Sequence, residues 1–241
     1  MSKSRIFKYF ALIAGSILFL WGFFVFGKKV KKKWIVYVTL HSAHWEERYK
    51  ELEQIKPGSY KIIFLGNSLT ELFDLTYYFK DTTILNCGIV GDFTEGLVKR
   101  VNTITKLKPE KLFIEIGIND IIEQISLEEI CANYEELIKT IKKESPLTKI
   151  YIQSNLPAII NRPSLLTGDK EVNDLIRKQN RNLQQLAKNC NCTYIDVYSS
   201  FVREKDFESL FIADGIHFTP KAYNIWKEII LPYLTSSERD K

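Results

Sequence analysis

Residues 61–70 read KIIFLGNSLT. The first half is a short apolar run, which is typical of a buried strand, and Gly66 ends it. Small polar residues follow the glycine, as they do at the start of many helices. The stretch therefore predicts a strand, a tight turn and a helix, with Ser68 raised above the end of the strand.

The same pattern, a short apolar run followed by a turn, occurs four more times. These runs are Thr83–Asn86, Leu112–Ile116, Lys149–Gln153 and Thr193–Val197. Helical spacing separates them at about 94–106, 127–143 and 172–189, and a last helix is predicted after Pro220. Strands that alternate with helices favour a parallel sheet covered on both faces. We predict an α/β fold with a five-stranded parallel, flavodoxin-like sheet, whose sites lie beyond the carboxyl ends of the strands.

The N-terminal run from Tyr9 to Gly27 carries no charge. At about 1.5 Å per residue it is long enough to cross a hydrocarbon layer of roughly 30 Å. We predict one N-terminal transmembrane helix that stays in place as an anchor. The alternative is a cleaved signal peptide, whose apolar region would be shorter and end in a small-x-small site. Basic residues flank the run on both sides, and the difference between the numbers of positive charges on the two sides is too small to predict its orientation in the membrane.

The pattern along the chain predicts three parts. Residues 1–33 form the anchor with its basic flank, residues 34–58 a connecting helix, and residues 59–241 a globular domain. The connecting helix is predicted from the helical spacing and Glu/Lys pairs of Trp45–Ile55. The net charge of +5 is local, because five lysines lie between residues 28 and 33. Without a basic face on the domain itself, nucleic-acid binding is not expected.

Cofactor and metal chemistry find no support in the motifs. The four cysteines contain no CxxC pair, and in so long a chain they do not indicate a disulfide framework. No P-loop or dinucleotide-binding glycine pattern is present in the sequence. We therefore expect neither an organic cofactor nor a metal.

Ser68 has two interpretations at its junction. At the end of a strand and above a helix N-terminus, a serine can act as a nucleophile, and the helix favours an oxyanion there. The alternative is a helix N-cap, a common role for serine. The motif is not the G-x-S-x-G elbow, because Thr70 stands where that motif has glycine.

The tetrapeptide DGIH at residues 214–217 precedes the last predicted helix. The chain has three histidines, and the other two, His41 and His44, lie close to the predicted anchor. A tight turn would bring the Asp214 carboxylate to the His217 imidazole and leave the other ring nitrogen to take a serine proton. The alternative is a helix-capping loop with a surface aspartate and histidine.

Two further loops follow predicted strands. In GIND at residues 117–120, the Asn119 amide can donate to charge that develops on a substrate oxygen, and the alternative is an Asx-turn. In NCGIVGD at residues 86–92, Gly88 lets the backbone approach a ligand and present its N–H, and the alternative is an ordinary turn.

Taken together, the four loops supply a nucleophile, a backbone donor, an amide donor and an acid–base pair. This is the complete set for acyl transfer. Asp92 and Asp120 adjoin the same loops. They are possible substrate contacts, and the alternative is that both are solvated loop aspartates.

GNSLT, NCGIVGD, GIND and DGIH resemble, in this order, the four marker blocks of the SGNH (GDSL-like) hydrolase superfamily. The similarity covers roughly residues 45–234. It is closest to the bacterial branch that includes sialate O-acetylesterase-like and platelet-activating-factor acetylhydrolase-like proteins. One residue departs from the family pattern, because Asn67 replaces the aspartate of the GDSL name. That aspartate is not a triad member, so the departure does not argue against activity.

The resemblance implies a three-layer α/β/α sandwich and assigns roles to single residues. Ser68, Asp214 and His217 look like the catalytic triad. The backbone N–H groups of Ser68 and Gly88 and the side chain of Asn119 look like the oxyanion hole. No metal takes part in such a mechanism.

The expected activity is that of a serine esterase that forms an acyl-serine intermediate. The resemblance favours short acyl chains, chiefly acetyl groups on carbohydrate, as an associational argument. A lysophospholipase or other lipid esterase, and an acyltransferase to a sugar hydroxyl, stay open. Outside the enzymes, the alternative is a catalytically silent, membrane-tethered glycan-binding domain. Phe218, Tyr223 and Trp226 either line the acyl pocket or pack in the helix core.

The expected partners are a small-molecule or glycan ester and the membrane, through the span. The resemblance favours the extracytoplasmic side of the cell envelope for the domain. Charge alone slightly favours the cytoplasmic side, so both sides stay open.

Overall fold

The computed structural model describes residues 30–159 and 169–235. A helix, α1, runs through residues 30–40. The predicted transmembrane run from Tyr9 to Gly27 lies outside the described residues. Among the residues that are described, no helix combines the length and the apolar character needed to span a bilayer. The anchor and the three-part division of the chain stay predictions.

The compact unit that begins at Leu40 is built on one sheet. Its strands are β1 (Ile62–Gly66), β2 (Ile84–Gly88), β3 (Lys111–Glu115), β4 (Lys149–Gln153) and β5 (Thr193–Ile195). All four pairings are parallel, and the strand order is β2-β1-β3-β4-β5. This is the flavodoxin-like order, which confirms the predicted α/β fold.

Strand burial explains why the apolar runs could be recognised. Every residue of the central strands β1 and β3 is buried, whereas the edge strand β2 has two partly exposed residues. A central strand of a parallel sheet is covered on both faces, so it needs a continuous apolar run and not an alternating one.

The helices cover the sheet as the three-layer prediction requires. They are α2 (Ala43–Glu53), α3 (Ser68–Glu71), α4 (Leu75–Phe79), α5 (Thr94–Thr105), α6 (Ile118–Ile122), α7 (Leu127–Glu144), α8 (Asp169–Asn189), α9 (Tyr198–Val202) and α10 (Pro220–Thr235). A short 3₁₀ helix spans Phe207–Leu210. The three helices predicted from spacing correspond to α5, α7 and α8, and α10 begins at Pro220 as expected.

Helix α7 shows the local reasons for these boundaries. Its N-cap Ser126 accepts a hydrogen bond from the Glu129 N–H at 3.1 Å, which satisfies one free donor of the first turn. Ile130, Tyr134 and Leu137 are buried at helical spacing, so one face of the helix packs in the core.

The carboxyl ends of β1, β2 and β3 lie level with one another. Gly66 is paired with Gly88 of β2 and with Glu115 of β3. The loops that follow these three strands therefore emerge at the same edge of the sheet. The DGIH loop is closed by an antiparallel bridge between Phe211 and Phe218.

An aromatic cluster packs between α10 and the segment after α3. Phe73 stacks on Tyr223 and on Trp226, with ring centroids 5.0 and 5.1 Å apart. Trp226 is completely buried, and its Nε1 donates to Gln153 Oε1 at 2.7 Å. Phe218 and Tyr223 are buried as well. Tyr223 and Trp226 lie on α10, and Phe218 packs against both from the bridge before the helix. Their burial agrees with the core-packing interpretation.

Candidate active site

Ser68 is the first residue of α3 and not its N-cap. The N-cap is Asn67, whose Oδ1 accepts a hydrogen bond from the Leu69 N–H at 2.9 Å. The turn depends on Gly66, because a Cβ there would lie 2.2 Å from Thr70 Oγ1 and 2.3 Å from Glu115 O. The capping interpretation of Ser68 is therefore wrong, and its hydroxyl is left for another partner.

That partner is His217. Its Nε2 lies 2.9 Å from Ser68 Oγ, and its Nδ1 lies 2.6 Å from Asp214 Oδ2. An ionised carboxylate can only accept, so Nδ1–H donates to Asp214 and Nε2 is left to accept the serine proton. Gly215 adopts φ +70°, which lets the turn bring the two side chains together.

Asp214 is held in its charged form. Partial burial pushes the pKa of its carboxyl upward. Hydrogen bonds from the His217 imidazole and from the backbone N–H groups of His217 and Ile216 lower the pKa further than burial raises it, to about 2. The carboxylate is therefore ionised at any pH near neutrality and can hold the imidazole in one tautomer.

Asn119 lies on α6, directly after β3. Its Nδ2 donates one hydrogen bond to Asp92 O at 2.9 Å. An amide nitrogen carries two hydrogens, so this bond orients the side chain and leaves a second donor. Asp92 O belongs to the loop after β2, so Asn119 and that loop are joined at the edge of the sheet.

The structure argues against Gly88 as an oxyanion donor. Its N–H already donates to Asn86 Oδ1 at 2.9 Å, and its missing Cβ would lie 2.2 Å from Glu71 N. Gly88 is therefore needed for close packing of β2 against α3. Gly91, three residues later, adopts φ +78°. Within residues 30–159 and 169–235, neither Gly91 N–H nor Ser68 N–H has a hydrogen-bond acceptor.

Gly91 was missed in the sequence, although a signal was present. The motif NCGIVGD has two glycines, and the second directly precedes Asp92, whose carbonyl holds Asn119. Only the hydrogen bonds distinguish the glycine whose N–H is occupied from the glycine whose N–H is available.

Neither Asp92 nor Asp120 is a substrate contact or a solvated aspartate. Both carboxylates are completely buried. Asp92 accepts from Trp45 Nε1 at 3.0 Å and from Arg100 Nε at 2.8 Å. Burial raises the pKa of Asp92, and the Arg100 charge and these hydrogen bonds oppose that rise. Both earlier interpretations are therefore wrong, since neither carboxylate can reach solvent or ligand.

Asp120 holds the start of α5. Its Oδ1 lies 2.5 Å from Thr94 Oγ1, and both carboxylate oxygens lie 3.2 Å from Thr94 N. Burial raises the pKa of Asp120 to about 7, although the hydrogen bonds from Thr94 act in the opposite direction. The residue next to Asn119 is thus a structural tie between α6 and α5.

A further buried acid, Glu115, lies at the end of β3. Its Oε1 is 3.3 Å from Asn155 Nδ2, and its Oε2 has no hydrogen-bond partner among the described residues. Burial raises the pKa of Glu115 to about 7, against the opposing effect of Asn155. In the sequence this residue is one position in an apolar strand, and nothing there indicates an unsatisfied carboxyl.

Comparisons with known proteins identify the family. The sequence model of the GDSL-like lipase/acylhydrolase family matches residues 64–225. The chain is 25% identical over 195 residues to platelet-activating factor acetylhydrolase IB subunit alpha2 of chicken (Gallus gallus), covering 75% of this chain and 80% of that protein.

Two solved structures share the fold. One is a GDSL-like lipase from Bacteroides thetaiotaomicron, with a TM-score of 0.66 and 19% identity, covering 81% of this chain and 98% of that one. The other is an acetylxylan esterase from Geobacillus stearothermophilus, solved as a catalytic mutant, with a TM-score of 0.59 and 19% identity, covering 76% and 97%. Because the family match spans more than half of the sequence, the chain belongs to the GDSL-like lipase/acylhydrolase family and is a serine hydrolase that acts on ester bonds.

Proposed function

We propose that the protein hydrolyses short-chain carboxylic esters, chiefly acetyl groups on carbohydrate, with Ser68 as nucleophile. The observation that carries the proposal is the continuous path of short contacts from Asp214 Oδ2 through the His217 ring to Ser68 Oγ, at 2.6 and 2.9 Å. A nucleophile, a base within hydrogen-bond reach and a group that orients the base are the geometric signature of covalent acyl transfer.

In the first half of the reaction, His217 Nε2 takes the proton from Ser68 Oγ while Oγ attacks the ester carbonyl carbon. The oxyanion of the tetrahedral intermediate is held by the N–H groups of Ser68 and Gly91 and by the free amide hydrogen of Asn119. The intermediate collapses, the bond to the alcohol oxygen breaks, and the alcohol takes the proton from His217. Ser68 then carries the acyl group.

In the second half, water attacks the acyl-serine. His217 accepts a proton from the water, and the same three donors hold the second tetrahedral oxyanion. Collapse releases the carboxylic acid and returns the proton to Ser68 Oγ. The Asp214 carboxylate stabilises the imidazolium in both halves without taking its proton.

Support for an acetyl ester on carbohydrate comes from the name of one structural neighbour, the acetylxylan esterase. A lipid ester is the second candidate, and a different observation favours it. Val90 and Ile212 are 41% and 49% exposed. Val90 adjoins Gly91, and Ile212 N donates to His217 O, so exposed aliphatic side chains lie on two loops beside the triad. Such side chains suit an acyl chain or a lipid surface.

Rates on p-nitrophenyl esters from acetate to palmitate test the acyl preference. The proposal expects kcat/KM to fall as the chain lengthens, and a maximum at the long esters would favour the lipid esterase. Addition of a glycan acceptor tests transfer, because an acyltransferase would turn over faster with the acceptor present.

Ser68→Ala tests the nucleophile in the same assay. The variant should lose nearly all turnover and should not react with a fluorophosphonate probe, whereas the parent protein is labelled stoichiometrically at Ser68. Labelling of the folded protein that is lost when the protein is heated beforehand also separates an enzyme from a silent glycan-binding domain. Unchanged turnover by Ser68→Ala would end the assignment.

Tethering to a membrane through Tyr9–Gly27 is part of the proposal and rests on the uncharged run alone. The proposal puts the domain on the extracytoplasmic side, where glycan esters of the envelope are accessible. Protease accessibility of the domain in intact cells, compared with lysed cells, tests both the tether and its orientation.

A further inference from the structure

Helix α2 precedes the residues that match the family, yet its side chains bond to β2, to α3 and to the loop that follows β2. The helix spans Ala43–Glu53 and belongs to the same compact unit as the sheet. The family match begins at residue 64. Side chains of α2 bond directly to Asp92 in the loop that carries Gly91 and to Asn86 in β2, and they reach Val90 of the loop through Glu71.

The first contact joins Trp45 to Asp92. Trp45 Nε1 donates to Asp92 Oδ1 at 3.0 Å, and Trp45 is only 7% exposed while Asp92 is completely buried. The carbonyl of the same aspartate accepts the amide of Asn119 at 2.9 Å. The indole therefore holds one carboxylate oxygen of the residue that orients Asn119, while Arg100 holds the other.

The second contact runs through Glu71, which lies on the nucleophile helix α3. His44 Nε2 is 3.1 and 3.2 Å from the two carboxylate oxygens of Glu71. Glu71 Oε2 accepts the Val90 N–H at 2.5 Å. Val90 directly precedes Gly91, so this contact fixes the peptide on the amino side of the available N–H.

The third contact lies on β2, two residues before the strand ends. Arg48 Nη2 donates to Asn86 O at 2.9 Å. The Asn86 side chain in turn donates to Thr70 O at 2.7 Å and to Phe73 O at 3.0 Å. The last part of β2, from which the loop emerges, is thereby bonded both to α2 and to the segment that follows Ser68.

Apart from α2, Arg100 also holds this loop, because its Nε donates to Asp92 Oδ2 at 2.8 Å in a buried ion pair. The loop backbone makes the hydrogen bonds Ile89 N to Gly66 O and Asp92 N to Ile89 O, both at 3.1 Å. Donors of an oxyanion hole contribute most when they are already in place before the reaction. A shift of about 1 Å in a catalytic group can cost on the order of a hundredfold in rate. Three anchors on a rigid helix are a means of preventing such a shift.

We infer that α2 is a brace that positions Gly91 N–H and the Asn119 amide for the oxyanion, with Trp45 as its principal positioning residue. The inference rests on the proposed function, since it assigns a purpose to α2 only if these donors hold an oxyanion. It adds a determinant of activity that lies outside the part of the chain matching the family.

Trp45→Phe tests the brace in the full chain, because phenylalanine keeps the aromatic packing and removes the N–H donor. Trp226→Phe is the matched control, since Trp226 is also buried and its Nε1 donates to Gln153 instead. Activity on p-nitrophenyl acetate is measured per site labelled by the fluorophosphonate probe, with urea unfolding of each variant. We expect kcat to fall about tenfold in Trp45→Phe with KM within twofold, and kcat to stay unchanged in Trp226→Phe.

The affinity for a phenylboronic acid distinguishes misplaced oxyanion donors from a loss of stability, because the tetrahedral adduct of the boronic acid with Ser68 occupies the oxyanion hole. Its affinity should fall in Trp45→Phe by the same factor as kcat/KM and stay constant in Trp226→Phe. Equal boronate affinity in the two variants would overturn the inference that α2 positions the donors. So would a loss of rate in Trp45→Phe that is fully explained by the fraction of unfolded protein.

His44→Ala decides the case if Trp45→Phe does not fold. The His44 side chain is 52% exposed, so its removal does not threaten the core. We expect kcat to fall about threefold at constant KM, because Glu71 keeps its bond to Val90. Unchanged kcat in His44→Ala, together with an inactive Ser68→Ala, would overturn the brace alone. An active Ser68→Ala would overturn the proposed function instead.

Discussion

Arg100 and Asp92 form an ion pair in which neither side chain has any exposed surface, with Arg100 Nε 2.8 Å from Asp92 Oδ2. Arg100 Nη2 also donates to Gly66 O at 3.0 Å. The guanidinium thus joins the loop after β2 to the end of β1, directly before the Asn67–Ser68 turn. A buried charge of this kind depends on its partner, because water cannot replace it.

Replacing Arg100 by methionine should therefore destabilise the protein strongly. We expect Arg100→Met to lower the free energy of unfolding by about 3–5 kcal/mol, because the Asp92 carboxylate is left buried and unpaired. Lys99→Met in the same helix is the control, since the ion pair of Lys99 with Glu95 is exposed to solvent and should contribute at most about 1 kcal/mol. Urea titrations followed by circular dichroism measure both, and equal losses would contradict the interpretation.

Asn119→Ala should reduce kcat without unfolding the protein. Loss of one oxyanion donor typically costs on the order of 10²–10³ in kcat, and KM should change little because the donor acts mainly in the transition state. Steady-state rates on p-nitrophenyl acetate provide the measurement. Asn224→Ala is the control, because the one hydrogen bond of the Asn224 amide to a described residue is with Pro220 O in its own helix. A kcat for Asn119→Ala within a factor of three of the control would remove Asn119 from the proposed mechanism.

Asp214→Asn should lower kcat by about 10⁴, the size known for this exchange in a serine-protease triad. An amide can donate to His217 Nδ1 and stabilise the wrong tautomer, in which Nε2 carries the hydrogen and cannot accept the serine proton. The crystal structure of the variant should show unchanged positions of Ser68 and His217. A loss below tenfold would mean that Asp214 does not orient the base.

The acid side of the pH–rate profile should not report Asp214. Its pKa of about 2 keeps the carboxylate ionised at every pH at which the rate is measured. Protonation of Asp214 is therefore not expected to contribute to any loss of activity on acidification. Measurement of kcat/KM from pH 4 to 9 tests this, and a component of the acid side that disappears in Asp214→Asn would count against it.

Glu115 should make stability fall as pH rises. In the folded protein its pKa is about 7, whereas its ordinary value is 4.5. Between these values the folded state binds more protons than the unfolded chain, so the free energy of unfolding decreases from about pH 4.5 to about pH 7. Glu115→Gln should remove its share of the decrease, on the order of 3 kcal/mol, while the share of Asp120, whose pKa is also about 7, should stay. Urea titrations at several pH values test it against Glu110→Gln, an exposed carboxylate beside the same strand.

Several parts of the fold could be predicted because their causes are local. The apolar runs of β1 and β3 reflect burial on both faces, and the spacing of α5, α7 and α8 reflects the helical period. The final helix begins at Pro220 because proline suits the first turn. The segments that follow the strands contain few polar side chains that could act in catalysis. The serine, the asparagine and the Asp–His pair are therefore recognisable as candidates.

The predictions for Gly88, Asp92 and Asp120 failed for one physical reason, which is that contacts between distant parts of the chain decide their roles. Gly88 and Gly91 are equally flexible in a sequence, and which N–H is available depends on where Asn86 Oδ1 points. Asp92 and Asp120 follow turn residues and read as solvated, but each is buried by partners brought from elsewhere in the chain.

Periodicity and turn chemistry act between near neighbours, so the residues alone predict the order of the elements, the parallel sheet and the candidates for nucleophile, base and amide donor. Which polar groups are buried, which donors are available and what holds them follow from the folded chain. Those properties depend on contacts such as Trp45 with Asp92, 47 residues apart, and Ser68 with His217, 149 residues apart. These contacts form only when the chain folds around the sheet, and no local pattern encodes them.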